Sequence, residues 1–201
     1  KEISRLKTGA SLLTVYYGFK RSLKDLGYAC YSAAIFDDSV RSQRDILFNN
    51  SDDYQRRSFI FTDYSQLDSG LAPEGKSVAA VCCVDYLKNW TGMDRITYLM
   101  KKAEVAAIIT ARLEKMIPGI SENIEYMEVG TPYTCSRYTL NPEGAVYGFA
   151  QTPDKKSIDI SMLPENLWFA SAWGKTGGGF SGAIYGGYLC ALQILRKKTA
   201  Q

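Results

Sequence analysis

Apolar, β-branched and aromatic residues crowd SLLTVYYGFK (Ser11 to Lys20) and YACYSAAIF (Tyr28 to Phe36), which predicts two strands parted by a turn at Gly27. After a polar stretch, RSFIFTDY (Arg57 to Tyr64) and KSVAAVCCVDYL (Lys76 to Leu87) predict two more, joined across Gly70, Pro73 and Gly75. The run Val78 to Val84 is apolar on both faces, as a central strand must be. The strands read as one mostly antiparallel sheet.

From Met93 to Met116 the period becomes helical, with Ile96, Leu99, Met100, Val105, Ile108, Ile109 and Leu113 along one broad face, and Pro118 and Gly119 close the helix. Asn123 to Gly130 then reads as a short strand. Thr131 stands at an N-cap position and Pro132 at the first helical one, so Thr131 to Leu140 reads as a short helix. A Gly/Pro-punctuated loop follows. Asn166 to Trp173 reads as a strand, the glycines after it as a turn, and Ser181 to Lys198 as a helix whose weak point is Gly186-Gly187.

Composition narrows the chemistry. At 201 residues, 46% hydrophobic and 22% charged, the chain can bury a sizeable core as one large domain or two small ones. No apolar run approaches the ~20 residues of a membrane-spanning helix, and the opening KEISRLKTGASLL lacks a signal peptide's apolar core, so the expected location is cytoplasmic. The net charge of +3 is mild and sits partly in the tail LRKKTAQ, with no basic stripe interleaved with aromatics, so nucleic acid is not an expected partner. Five cysteines, without C-x-x-C spacing, read as reduced thiols. Histidine is absent, which excludes Ser-His-Asp and Cys-His nucleophiles and the usual zinc and haem sites, so no metal is expected and any enzymatic chemistry points to a cofactor.

The stretch WGKTGGGFSG (Trp173 to Gly182) carries two phosphate-type signals. The GKT at 174–176 fails as a Walker loop, because Phe169 occupies the place of its first glycine. The G-x-G-x-x-G of Gly177, Gly179 and Gly182 lies between a predicted strand and a predicted helix, where glycines open a helix N-terminus toward an anion. It lacks the second strand and the acid about twenty residues on. A glycine-rich turn that packs a helix closely on its neighbours accounts for the motif equally well.

Three blocks in order, SGLAPEGKSVAAVCCV, TPYTCSRYTLNPEGAVYGFAQTP and LWFASAWGKTGGGFSGAIYGGYLCA, resemble the C-terminal half of the phytoene desaturase and carotenoid isomerase family of FAD-dependent oxidoreductases, which includes retinol saturase-like enzymes. The resemblance implies an α/β fold with α+β character and a fragment of a two-domain enzyme. Residues 1–130 would be most of a substrate-binding domain, with a mixed, mostly antiparallel sheet. Residues 131–201 would return to complete the FAD-binding domain, whose N-terminal Rossmann motif would precede Lys1 and be the missing partner.

The implied cofactor is FAD, with Ser171, Ala172, Trp173, Gly177, Gly178, Gly179, Phe180, Ser181, Gly182 and Ala183 about it. Tyr133, Tyr138, Tyr147 and Phe149 would line an apolar substrate site, although aromatics at such positions are more often core. Where many members carry Gly-Asp after the strand, this chain has Ser171-Ala172. The implied reaction moves a hydride between a C–C bond of a polyene-like substrate and flavin. An isomerase, an amine-oxidase-like enzyme and a non-catalytic escort for prenylated proteins share the architecture. Arg137 and Glu143 read as a surface pair or loop contact, and Asp63 and Asp68 as turn formers. The fourteen tyrosines and apolar blocks permit peripheral membrane contact.

Overall fold

A computed structural model describes residues 6–48, 51–67, 69–153, 164 and 166–199. The chain divides into two compact units, Leu12–Thr134 and a second in which Lys1–Ser11 joins Cys135–Gln201.

The first unit is a five-stranded sheet with helices. Its strands are β1 (Ser11–Phe19), β2 (Ser32–Ile35), β3 (Phe59–Asp63), β4 (Ser77–Asp85) and β5 (Ile124–Gly130), in the order β2-β3-β4-β1-β5. The ladders β2/β3, β3/β4 and β1/β5 are antiparallel. The doubly apolar β4 is the central strand, as its sequence requires. Gly27 sits at φ 80°, capping a single 3-10 turn, Leu23–Leu26, between β1 and β2. A short helix α1 (Gln43–Phe48) occupies the stretch read as merely polar.

Alternation sorts the sheet into two faces. Leu13, Val15, Tyr17 and Phe19 of β1 join Phe59 and Phe61 of β3 and Val81 and Cys83 of β4 in one buried cluster. Helix α2 (Arg95–Met116) closes it with Val105, Ala106, Ile109 and Leu113. Burying side chains of this size contributes about 1.5–3 kcal/mol each. Asp94 caps α2 by accepting from Thr97 N–H at 2.7 Å. After Ile117, Gly119 takes φ 87° and donates its N–H to Glu114 Oε1, which ends the helix at the predicted place, and the one-turn α3 (Ile120–Asn123) leads into β5.

The single broad apolar face expected for α2 is two faces. Val105, Ile109 and Leu113 point into the core, whereas Ile96 and Met100 are 72% and 67% exposed on another side. In the first two turns of α2 only Tyr98 packs against the core, edge-on to Trp90, so Ile96, Leu99 and Met100 continue the period without being buried.

One polar cluster lies inside this core. Arg57 Nη1 stands 2.9 Å from Asp85 Oδ1, and both side chains are essentially inaccessible. Asp85 Oδ2 accepts from Tyr54 OH at 2.9 Å and Trp90 Nε1 at 2.7 Å, while Oδ1 accepts from Asn89 Nδ2 and Tyr86 N–H, each at 2.8 Å. Arg57 also donates to the carbonyls of Val84 and Ser51. Asp63 is a turn former as expected: buried, it accepts from Ser65 N–H at 3.0 Å and from Gln66 Nε2 at 2.7 Å. Asp68 lies outside the described residues.

The second unit contains most of α4 (Pro132–Thr139), which begins at the proline as expected, and α5 (Gly179–Thr199). The strand expected over Asn166–Trp173 has no ladder among its described residues. Instead, Ser171 C=O accepts from Gly174 N–H at 2.9 Å and closes a turn. The apolar composition of LWFASAW suits a strand, but a strand also needs a partner edge, and none is paired with it here. Helix α5 starts two residues before the expected Ser181, so Gly179 and Phe180 belong to its first turn. No disulfide joins any of the five cysteines.

Burial alone would raise the Asp85 carboxyl, but the Arg57 charge and the bonds from Trp90 and Asn89 outweigh it and hold the group below the ordinary carboxylate range. Its proton is therefore bound more tightly in the unfolded chain. The resulting stabilisation is whole above about pH 5 and fades as the pH falls through the ordinary carboxylate value toward the folded one. Asp85→Ala strands the buried guanidinium and should cost about 3–5 kcal/mol in urea unfolding at neutral pH. The variant should also lose part of the wild type's acid sensitivity.

Candidate functional site

The glycine turn belongs to the second unit, and its geometry follows from how closely backbone must pass backbone. Residues 7–10 run antiparallel to 146–150: Val146 N–H donates to Ala10 C=O at 3.1 Å, Gly9 N–H to Gly148 C=O at 2.8 Å, and Ala150 N–H to Lys7 C=O at 2.9 Å. The turn packs on this pair. Gly148, at φ 76°, leaves no room for a Cβ against the Ala172 carbonyl. A Cβ on Gly178 would lie 2.5 Å from both Cβ and O of Tyr147, and one on Gly182 would lie 2.8 Å from the Gly177 carbonyl. Gly177, at φ 78°, faces the Gln151 side chain, and Gly179 takes φ 76°.

Gly186, expected to be a weak point in α5, is a contact instead. A Cβ there would meet Thr176 Oγ1 at 2.6 Å, whereas Gly187 has open space. Gly177, Gly178 and Gly182 are thus accounted for by contacts within the chain, as the packing reading of the motif requires.

Trp173 is held by two neighbours. Its Nε1 donates to Asn141 Oδ1 at 3.3 Å, and its ring meets Phe149 edge-on at 4.8 Å between centroids. Asn141 Nδ2 donates in turn to Ala145 C=O, which explains why the residue before Pro142 is an asparagine. Ser171 Oγ accepts from Trp173 N–H at 3.2 Å. Ser171, Ala172, Trp173, Gly177 and Gly178 therefore face their own chain. Phe180, Ser181 and Ala183 are exposed on the first turns of α5, where the leading N–H groups have no acceptor within the helix. Of the residues expected about FAD, Phe180, Ser181 and Ala183 are the exposed ones.

The proposed substrate aromatics do not form one lining. Phe149 is buried under Trp173, and Tyr147 is half-exposed with its backbone against Gly178. Tyr138 is exposed with the Arg137 guanidinium 5.7 Å from its ring centre. Tyr133 belongs to the other unit, edge-on to Tyr98 at 6.2 Å. Glu143 sits at φ 54° in a 3-10 turn and makes no pair with Arg137 among the ion pairs described.

An apolar surface that residue-by-residue reading did not single out is the open face of the first unit's sheet. Tyr16 and Ile60 are each 50% exposed there. The Tyr16 ring covers Gly130, its Cε2 3.6 Å from where a Cβ would stand, while Gly18 faces the Cβ of its cross-strand partner Tyr126. Thr14 Oγ1 lies 4.0 Å from Cys82 Sγ, and Ser32 and Thr62 share a hydroxyl bond of 3.0 Å. Among the described residues, this face of β1 to β4 bears no charged side chain. The alternation within SLLTVYYGF was the available signal. Cys83, on the buried face, is pushed up to about 12 by burial and stays a thiol at neutral pH.

No family profile matches the chain. Individual proteins do. It is 41% identical over 83 residues to a chloroplastic prolycopene isomerase of Arabidopsis thaliana, covering 41% of this chain and 14% of that protein. Against the chloroplastic prolycopene isomerase of Daucus carota, identity is 31% over 132 residues, 64% of this chain and 22% of the relative. An all-trans-retinol 13,14-reductase of Danio rerio aligns with 98% of the chain at 25% identity, over 35% of its own length. This chain is a relative of prolycopene isomerases and of a retinol reductase. It spans between about a seventh and a third of their lengths.

A paired substitution separates packing from open space. Gly178→Ala should lower the melting temperature, because backbone rather than a flexible side chain fills the Cβ position. Gly187→Ala should be neutral or stabilising by up to ~1 kcal/mol, by helix propensity. Differential scanning fluorimetry of the two variants reads both outcomes.

Proposed function

We propose that this chain is the substrate-covering and C-terminal part of a flavoprotein oxidoreductase acting on an apolar polyene. The observation that carries the reading is the open sheet face, uncharged over β1 to β4 and bearing the Tyr16 ring, in a chain whose relatives are named for prolycopene and retinol. A conjugated hydrocarbon offers no hydrogen-bonding groups along its length, so a wall without charges avoids stranding polar groups when water leaves. FAD, when bound, supplies a hydride acceptor or donor for a C–C bond.

The chain's own part is to exclude water, hold the polyene flat on the sheet, and present the first-turn N–H groups of α5 from Gly179 to Gly182 to the flavin. The positive end of a 21-residue helix stabilises negative charge placed there. Helix α5 also exposes Phe180, Ile184, Tyr188 and Leu195 along one stripe. In this reading, that stripe is covered by the N-terminal FAD-binding part of the intact protein.

Isomerisation without net redox change is the second reading, favoured by the prolycopene isomerases among the relatives. The intact protein decides between them. Purified, it should carry visible flavin absorbance, and incubated with a cis-polyene it should return a product altered by one hydrogen pair in mass. A product of unchanged mass and altered geometry selects the isomerase, and a colourless protein that retains lipid defeats both. Within the intact enzyme, Ile60→Lys should raise KM for polyene by about tenfold, with unfolding shifted by less than ~1 kcal/mol because the site is half-exposed.

A further inference from the structure

We propose that the polyene lies lengthwise along β4, in a trough one strand wide, and that Ala80 and Cys82 on its floor set which ligands fit. The inference rests on the polyene reading and adds to it the place and direction of the ligand on the open sheet face. Alternation divides β4: Ala79, Val81 and Cys83 join the core, so Val78, Ala80, Cys82 and Val84 belong to the open face. Strands β3 and β1 flank it. Register sets Ile60 beside Cys82 and Thr62 beside Ala80, and on the other side Thr14 Oγ1 lies 4.0 Å from Cys82 Sγ. Ile60 and Tyr16 stand half-exposed on the two flanking strands, while Ala80 is buried between them. Large side chains on β3 and β1 and small ones on β4 leave a channel along the middle strand.

The polar atoms at its sides are already engaged. Thr62 shares its hydroxyl bond with Ser32 of β2, the strand away from β4, and Thr14 donates to Cys82. Width then identifies the occupant. Strands lie about 4.8 Å apart, so the backbones of β3 and β1 stand about 10 Å from each other, and Ile60 and Tyr16 narrow the space above β4. An α-helix with its side chains is about 10–12 Å across and does not enter. A single flat conjugated chain does, and it lies against carbon and sulfur with no unmet hydrogen-bonding group opposite.

The intact protein is treated with N-ethylmaleimide in detergent, with and without β-carotene, and alkylation of Cys82 is read by peptide mass spectrometry. Cys83, buried on the other face, stays unreactive. The expected result is that β-carotene slows alkylation of Cys82 about tenfold or more, and that Ala80→Leu lowers β-carotene retention by a similar factor. Ala34→Leu is the control. It adds the same volume on the same face, beyond Ile60 on exposed β2, and should leave retention within about twofold. Where Ala80→Leu does not fold, Cys82→Leu, at a partly exposed position, carries the same comparison.

Cys82 that reacts equally with and without bound β-carotene overturns the proposal, and so do Ala34→Leu and Ala80→Leu lowering retention alike. Protection that follows protein concentration instead of polyene, alongside a dimer in sedimentation, assigns the channel to a second copy and overturns it as well. β-Carotene retained with Cys82 unprotected removes the trough and leaves the polyene reading standing. An intact protein that takes up no polyene defeats both.

Discussion

The first unit is organised around a charge that cannot be left alone. Asp85 ends the central strand inside the core and collects Arg57, Tyr54, Trp90, Asn89 and the Tyr86 N–H. These donors come from the segment before β3 and from the 3-10 turn Leu87–Trp90 that leads to α2. One carboxylate therefore fixes the two connections flanking the β3/β4 hairpin. Taking two ions out of water costs several kcal/mol each, and the bonds offset that only while all are made. The cluster's influence lies less in net stability than in the penalty for any arrangement that omits a partner. Arg112 extends it from the covering helix, donating to the Arg57 carbonyl at 2.5 Å with its guanidinium over Phe59.

The second unit is constrained by absence of side-chain atoms rather than by charge. Its backbone segments approach until Cβ atoms no longer fit, at Gly9, Gly148, Gly178 and Gly182. This is why the G-x-G-x-x-G pattern misleads when read alone. Tight turns, helix starts and close crossings require glycine for the same steric reason that phosphate loops do, and the spacing cannot say which applies. Gly179 serves both descriptions: its φ of 76° demands glycine, and it opens the helix whose first turn is exposed.

Much of the fold was legible where one physical signal dominated. The doubly apolar β4, the Asp/Pro/Gly punctuation and the long helical period each have a single cause, and the corresponding elements lie within a few residues of expectation. Helix α1 was not legible, because six residues with three charged or amide side chains carry no periodic signal. The strand at 166–173 was not legible either, because pairing is a property of the partner edge. For the site, the glycines and Trp173 were found by type, but the direction each faces depends on Asn141, Tyr147 and Gln151, far away in sequence. The burial cluster of Arg57 and Asp85 escaped notice because sequence shows charges singly and not in pairs.

The two long helices show why exposed apolar residues need different explanations. Helix α5 runs from Gly179 to Leu195 without a charged residue, so its exposed apolar residues have no polar border along that length. Helix α2 has charged residues on both borders of its outward stripe, Arg95 on one side and Glu104 on the other, so its exposed apolar residues are set among charges. The open sheet face is a third case, with the Tyr16 ring over Gly130, the Ser32 and Thr62 hydroxyls paired on it, and no charge over β1 to β4. A ligand that is long, rigid and without polar groups loses least against such a wall, while a protein partner would forgo the interlocking side chains on which protein interfaces depend. Charge placement around each surface, more than its apolar area, distinguishes the three.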